Sequence, residues 1–254
     1  MSRIVAAPDS SRPRIAVVIP TLNEEAAIAG VIAAIPPGSV DDIIVADSGS
    51  TDRTVERARA AGARVVSESR RGYGRACQAG AAAVRDCTII VFLDGDGSDC
   101  AELVPQMVEP IIAGRADFVI GSRTRGTREP GSMSAHQVLA GYAIGAALRL
   151  LYGVGYSDMG PFRAIRHDAL VSLGMREMSY GWNLEMQMRA VRRGLRIIEL
   201  PVAHRRRAGG VSKVSGSVSG TVKASWRIAL TFVRVALETR RSRSAAAPAR
   251  RSAR

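Results

Sequence analysis

Apolar positions along the chain fall in short unbroken runs separated by stretches of helical spacing. Ile15 to Pro20 (IAVVIP) is continuous and β-branched, as expected of a strand covered on both faces. Ile43 to Ala46, Arg64 to Ser67, Thr88 to Leu93 and Phe118 to Gly121 repeat the pattern. Between them, Glu24 to Ile35, Thr54 to Ala61, Gly74 to Val84 and Ala101 to Ala113 read as helices, several of them stopped by Gly or Pro. This β-α alternation on short connections predicts an α/β fold, a mostly parallel, doubly wound sheet with flanking helices. The second half reads as a helix over Ser134 to Leu151, a strand over Asp158 to Arg166, a helix over Trp182 to Arg193 and a strand over Arg196 to Val202. A Gly/Ser-rich basic loop, Arg205 to Ser219, then leads into a last helix over Thr221 to Leu237. The domain expectation is a disordered segment 1–13, a catalytic domain 14–216, an amphipathic helix 217–239 and a disordered basic tail 240–254.

Composition narrows the function classes. The chain has 254 residues, 46% hydrophobic and only 4% aromatic, so it can bury an aliphatic core. No apolar run reaches the roughly 20 residues that a membrane span needs. No secretory leader pattern opens the chain, and Cys77, Cys87 and Cys100 form no CxxC pair, so a cytoplasmic location is expected. The net charge is +13, and every basic residue except Lys213 and Lys223 is an arginine. Six arginines and no acid fall from Arg240 onward, and the remainder is still basic. That balance favours phosphates or a membrane surface as partners.

The candidate chemistry lies in where the acids fall. The first strand runs into Thr21-Leu22-Asn23-Glu24-Glu25, the second into Asp47-Ser48-Gly49-Ser50-Thr51-Asp52, and the fourth into Asp94-Gly95-Asp96-Gly97-Ser98-Asp99. Parallel strands share a C-terminal edge, and open α/β sheets bind ligands in the crevice outside it, so three acidic clusters converge on one cleft. Crowded carboxylates raise one another's pKa, and a hard divalent cation relieves them. Asp94 and Asp96 on one turn can therefore hold Mg²⁺ or Mn²⁺ against a diphosphate. No dinucleotide fingerprint follows the first strand, and no P-loop is present. Gly72 and Gly74 read either as a tight turn or as a helix N-terminus near a phosphate.

At these residues the sequence resembles family 2 glycosyltransferases of the GT-A nucleotide-diphospho-sugar transferase fold. The motifs are Val18 to Glu25, Asp47 to Thr54 and Asp94-Gly95-Asp96. Within that family it is most similar to dolichol- and polyprenol-phosphate sugar transferases, through Gly121-Ser122-Arg123, Gly160-Pro161-Phe162-Arg163 and Arg207-Ala208-Gly209-Gly210-Val211-Ser212-Lys213. The resemblance implies that Pro20, Leu22, Glu24 and Asp47 bind the nucleoside of a nucleotide-sugar donor. It also implies that Asp94 and Asp96 hold the metal on the donor diphosphate. Mannose-transferring relatives often have Gln where this chain has Ser98, and the stretches Asp158 to Arg166 and Tyr180 to Glu185 are more similar to glucosyltransferases. The implied activity is inverting transfer of a hexose, of UDP-glucose or GDP-mannose type, to a polyprenyl-phosphate acceptor. The alternative is a family 2 enzyme acting on a soluble or glycan hydroxyl.

An acceptor phosphate needs positive groups more than a base. Arg123, Arg125, Arg128 and Arg163 are the candidates, since guanidinium binds phosphate in bidentate fashion, and Arg123 and Arg163 stand in matched motifs. Lys213, a rare lysine, is expected to close over a phosphate with Ser212. Asp96, Arg123, Arg163 and Glu185 form the expected catalytic set. Glu185 and Asp158 serve either as general base for a hydroxyl acceptor or as orienting groups for Arg163 or the loop. His136, His167 and His204 show no metal-ligand spacing and read as ordinary histidines. On the last helix, Val222, Trp226, Ala229, Leu230, Val233 and Leu237 share one stripe, with Lys223, Arg227 and Arg234 on another. That face either lies in the cytoplasmic membrane interface or packs on the core. No nucleic-acid partner is expected, because acids on the sheet edge would repel one.

Overall fold

The computed structural model describes residues 12–209 and 218–245. Seven strands form one sheet: β1 (Ile15–Thr21), β2 (Asp42–Asp47), β3 (Arg64–Ser67), β4 (Ile89–Phe92), β5 (Phe118–Ser122), β6 (Arg163–Arg166) and β7 (Ile197–Pro201). Their spatial order is β3-β2-β1-β4-β6-β5-β7. β1 pairs in parallel with β2 and β4, β2 with β3, and β5 with β7; β6 runs antiparallel between β4 and β5. Every residue of β1, β4 and β5 is buried, as the unbroken apolar runs demand.

The helices are α1 (Ile28–Ala34), α2 (Thr54–Ala60), α3 (Tyr73–Ala83), α4 (Val104–Ile112), α5 (Ala135–Tyr152), α6 (His167–Leu173), α7 (Trp182–Arg192) and α8 (Val218–Ala245). One apolar layer packs β1 and β4 against α1 and α4 through Ile19, Ile28, Val31, Val91 and Met107. A second packs the opposite sheet face against α3, α6 and α7 through Val18, Cys77, Phe92, Leu170 and Trp182.

Four elements depart from the sequence reading. Helix α1 begins at Ile28 rather than Glu24, because the amides of Glu24 and Glu25 are held by Thr54 Oγ1 (2.8 Å) and Asp52 Oδ2 (3.2 Å) in the neighbouring loop. The strand expected over Asp158 to Arg166 is only Arg163–Arg166; before it, Asp158 is turned to bind Arg123. Helix α6 was not expected. Its seven residues stop at Gly174, which takes φ +59° as a left-handed cap. Helix α8 continues past Leu237 to Ala245, into the stretch expected as disordered tail, since no Gly or Pro interrupts it there. Segments 1–11 and 246–254 and the Ser212–Lys213 pair lie outside the described residues.

Candidate active site

The register of the parallel strands builds the site. Thr21 lies beside Asp47 across β1 and β2, and Val18 beside Phe92 across β1 and β4, so the loops after all three strands leave from one edge. The first two loops are cross-stitched. Asn23, at φ +54°, accepts the Thr51 amide at 2.8 Å and donates its own amide to Ser50 Oγ at 2.8 Å. Asp52 caps Thr54 at 3.0 Å, while Glu25 accepts the Arg53 amide at 3.1 Å. The Ser, Thr, Asp and Asn spacing thus satisfies the loop backbone through side chains.

These loops floor a cleft of about 650 Å³. Pro20, Leu22 and Glu24 line it from the β1 side, and Asp94 and Asp96 from the β4 side. Arg123, Asp158 and His204 line it too, as do Gln137 and Gly141 of α5 and Ser225 and Ile228 of α8. Gly72 lines it too, but it backs directly on the Met178 carbonyl, and a Cβ at Gly74 would collide with the Glu177 carbonyl. This turn is therefore required by close backbone packing.

The acids carry the electrostatics. Asp96 Oδ1 accepts hydrogen bonds from the Ser98 amide (2.8 Å) and Ser98 Oγ (2.6 Å), and its Oδ2 is paired with Arg207. Asp94 Oδ1 and the Tyr73 hydroxyl are buried side by side, with no well-formed hydrogen bond to any other protein group. Burial, then the charges of Asp96 and Asp99, push the Asp94 carboxyl well above the usual carboxylate range. Asp99 Oδ1 and His204 Nδ1 lie 3.8 Å apart, both buried and both unpartnered. Orphaned hard-oxygen ligands around an ionisable turn fit a divalent cation. Among the described residues, however, no three His, Cys, Asp or Glu side chains are grouped closely enough to enclose one.

Arg123 is fixed by Asp158 through Nε–Oδ2 at 2.7 Å and Nη2–Oδ1 at 2.8 Å. Burial works against the charge on Asp158, but the hydrogen bonds and charge of Arg123 hold its carboxyl below the usual range.

Several expected site residues do not reach the cleft. Arg163 is fully buried at the centre of the sheet, opposite Phe92 and Ile120. Its guanidinium donates to the Gly160 and Asn183 carbonyls, both at 3.1 Å, and stacks over Phe118; burial lowers its pKa to about 10. Glu185 is likewise fully buried. It accepts the amides of Arg176 (2.8 Å) and Glu177 (2.6 Å) and pairs with Arg189 and Arg234, so it ties α7 to α8. Neither Arg163 nor Glu185 is among the residues lining the cleft, and both make their contacts inside the fold. Asp47 is at the edge, but its carboxylate is turned into its own loop, accepting Gly49 N and Ser50 N at 3.0 Å. Arg125 points to the Glu199 carbonyl, and Arg128 lines an adjoining surface groove that shares Ser132 and Met133 with the cleft.

Among the residues that line the cleft without having been expected there as binding groups are His204 and Arg207, with Arg71 and Tyr73. His204 arrives because its backbone bridges both Asp99 and Arg128, a pairing that no local pattern announces. On α8 the residues facing the domain are Thr231 and Val235, flanked by Ile228 and Phe232, whereas Trp226, Leu230, Val233 and Leu237 are 46–65% exposed. The stripe read from the sequence faces outward, and the Val222 and Lys223 side chains lie outside the described residues.

A mostly parallel sheet with an acid-rimmed crevice on its C-terminal edge is the GT-A architecture of enzymes that use nucleoside-diphosphate sugars. The sequence model described as glycosyl transferase family 2 matches residues 16–174, and the chain belongs to that family. It is 38% identical over 212 residues to an uncharacterized glycosyltransferase of Mycobacterium tuberculosis, covering 83% of this chain and 94% of that one. It is 32% identical over 235 residues to the dolichyl-phosphate hexose transferase of Haloferax volcanii, covering 89% and 95%. Among solved structures it is similar to glucosyl-3-phosphoglycerate synthase of Mycobacterium tuberculosis in complex with Mn²⁺, UDP-glucose and phosphoglyceric acid. That likeness has a TM-score of 0.71 and 29% identity, covering 89% of this chain and 80% of that one. The protein is a glycosyltransferase of family 2.

Proposed function

We propose that this enzyme transfers a hexose from a nucleoside-diphosphate sugar to a polyprenyl phosphate, with inversion, at the cytoplasmic face of a membrane. The observation that carries the reading is the lining of the cleft. Asp94, Asp96 and Arg123 share it with residues of α5 and α8, and both helices carry exposed apolar side chains, Leu139 and Tyr142 on one and Trp226 and Leu230 on the other. A phosphate at Arg123 with an isoprenoid chain lying against α5 and α8 fits this lining. Exposed apolar stripes beside basic residues also suit an anionic lipid surface. Among the described residues no helix is long and apolar enough to cross a membrane.

In this reading Pro20, Leu22 and Glu24 receive the nucleoside, and Asp47 shapes their loop by capping Ser50. Asp94 and Asp96 hold the metal, which when bound neutralises the charge that develops on the leaving diphosphate. Ser98 fixes the rotamer of Asp96. Arg123, pre-set by Asp158, holds the acceptor phosphate against its attack position, with Arg125 and Arg128 at the approach. A phosphate oxygen attacks the anomeric carbon, the carbon–oxygen bond to the diphosphate breaks, and the nucleoside diphosphate departs. The attacking oxygen is already anionic, so no protein base is needed. Ser212 and Lys213 complete the set as donor-phosphate contacts.

A second reading, transfer to a soluble phosphorylated acceptor, draws support from the phosphoglyceric acid in the related synthase structure. Incubation of the purified chain with radiolabelled UDP-glucose or GDP-mannose, Mn²⁺ and either undecaprenyl phosphate or 3-phosphoglycerate separates the two. Organic-extractable product of inverted anomeric configuration supports the lipid acceptor. Water-soluble product that forms equally well without lipid overturns it.

A further inference from the structure

Arg207 sits between two acids of the cleft. Its Nη1 is paired with Asp96, and its Nη2 donates to Glu24 Oε1 at 2.7 Å and Oε2 at 2.9 Å. One guanidinium therefore bridges the carboxylate assigned to the metal and the carboxylate assigned to the nucleoside. The pairing is built in. The backbone on either side is strapped to the acidic turn, with Arg205 N donating to the Ser98 carbonyl at 2.9 Å and Ala208 N to the Asp96 carbonyl at 2.9 Å. Gly97, at φ +79°, lies against Ala208, and Gly209 lies against Ala26, so the strap fits between the two loops. Arg205 pairs with Glu102, and the Arg206 amide donates to Glu129 at 2.8 Å, which anchors the strap from both sides.

We infer that Arg207 is a resident counter-cation that keeps the metal out until a nucleoside diphosphate arrives. The inference rests on the metal-assisted reading above. Asp96 has two oxygens, and both are engaged, Oδ1 by Ser98 and Oδ2 by Arg207. A divalent ion arriving alone gains few protein oxygens, since the described residues offer no closed cage, and it must displace a guanidinium from two charge-assisted contacts. A metal arriving with a diphosphate brings its own further ligands and can complete that exchange. The order of binding is therefore set by this chain: nucleotide first or together with metal, metal alone last. A free metal-loaded enzyme, able to polarise stray phosphates, is disfavoured.

The test is Mn²⁺ binding, followed by electron paramagnetic resonance of the free ion, to the wild-type chain and to the Arg207→Gln and Arg207→Lys variants, each with and without UDP. Breaking two charge-assisted contacts corresponds to about ten-fold or more in affinity. Arg207→Gln should bind Mn²⁺ alone at least that much more tightly than wild type, Arg207→Lys should restore weak binding, and saturating UDP should remove most of the difference. Thermal melting gives a second readout: Mn²⁺ alone should stabilise Arg207→Gln but not wild type. Equal Mn²⁺ affinity in wild type and Arg207→Gln without UDP, with UDP-promoted binding intact in both, overturns the counter-cation role alone. Absence of Mn²⁺ binding to any variant even with UDP overturns that role and the metal-assisted reading together.

Discussion

Asp158 grips Arg123 on three sides. Its Oδ2 accepts the Arg123 amide at 2.9 Å and Nε at 2.7 Å, and its Oδ1 accepts Nη2 at 2.8 Å. The carboxylate is 3% exposed and the guanidinium 16%, so the pair is held largely away from water while it lines the cleft. An arginine fixed in this way offers its remaining N–H groups in one orientation, which suits a phosphate that must be aimed.

Removing one member of such a pair strands the other. Asp158→Asn should lower stability by about 3 kcal/mol and raise the acceptor KM, while donor KM changes little. A cycle with Arg123→Ala checks the coupling by chemical denaturation: the two losses should be clearly non-additive.

The close approach of α3 to the 177–178 backbone gives a packing prediction. Gly74→Ala should cost about 1–3 kcal/mol by overpacking against a carbonyl that cannot rotate away, measured as a fall in the denaturation midpoint. An exposed glycine such as Gly114, with nothing within 4 Å of a built Cβ, offers the contrast, since its substitution acts only through its positive φ.

The docking of α8 carries an acid sensitivity. Glu177 accepts Thr231 Oγ1 at 2.8 Å and pairs with Arg234. Burial opposes ionisation of Glu177, but Ser179, Thr231 and Arg234 hold its carboxyl below the usual range. A depressed carboxylate stabilises the fold fully above its unfolded-state value, and that contribution is lost as pH falls through the folded value. Asp158 behaves in the same direction. Hydrogen exchange in α8 should therefore accelerate below the ordinary carboxylate range and stay flat between neutral and mildly alkaline pH.

The outward stripe of α8 predicts lipid binding that can be separated from folding. Trp226→Glu with Leu230→Glu should abolish flotation with anionic vesicles, while the melting temperature holds, because surface substitutions of this kind alter stability by only about 0.5 kcal/mol. Retained flotation would place the lipid contact elsewhere.

Much of this was legible in the chain because strand periodicity and acid position are local signals. The runs at Ile15, Ile43 and Thr88 announced parallel strands, and the acids that follow them had to share an edge. What stayed hidden depends on faces and partners. Arg163 carries a phosphate-binding side chain in a matched motif, yet the antiparallel β6 turns it into the sheet interior, where two carbonyls and an aromatic ring satisfy it. Glu185 falls in a stretch of α7, Leu184 to Met188, in which every residue is buried, so no one-sided periodicity marks its facing. The apolar stripe of α8 suggested burial as readily as exposure, and the domain chose the opposite face through Thr231 and Val235. Gly174 at the end of α6 was a readable stop signal, but seven residues with three buried positions give little periodicity to see.

The central claim is that Asp94 and Asp96 receive a metal-bound donor diphosphate. Calorimetric titration of UDP-glucose and GDP-mannose into the wild-type chain and Asp96→Ala, each with Mn²⁺ or with EDTA, tests it most directly. One of the two donors should bind wild type only with the metal and lose at least about a hundred-fold in affinity in Asp96→Ala. Equal binding in EDTA, or metal-dependent binding that survives in Asp96→Ala, would contradict it.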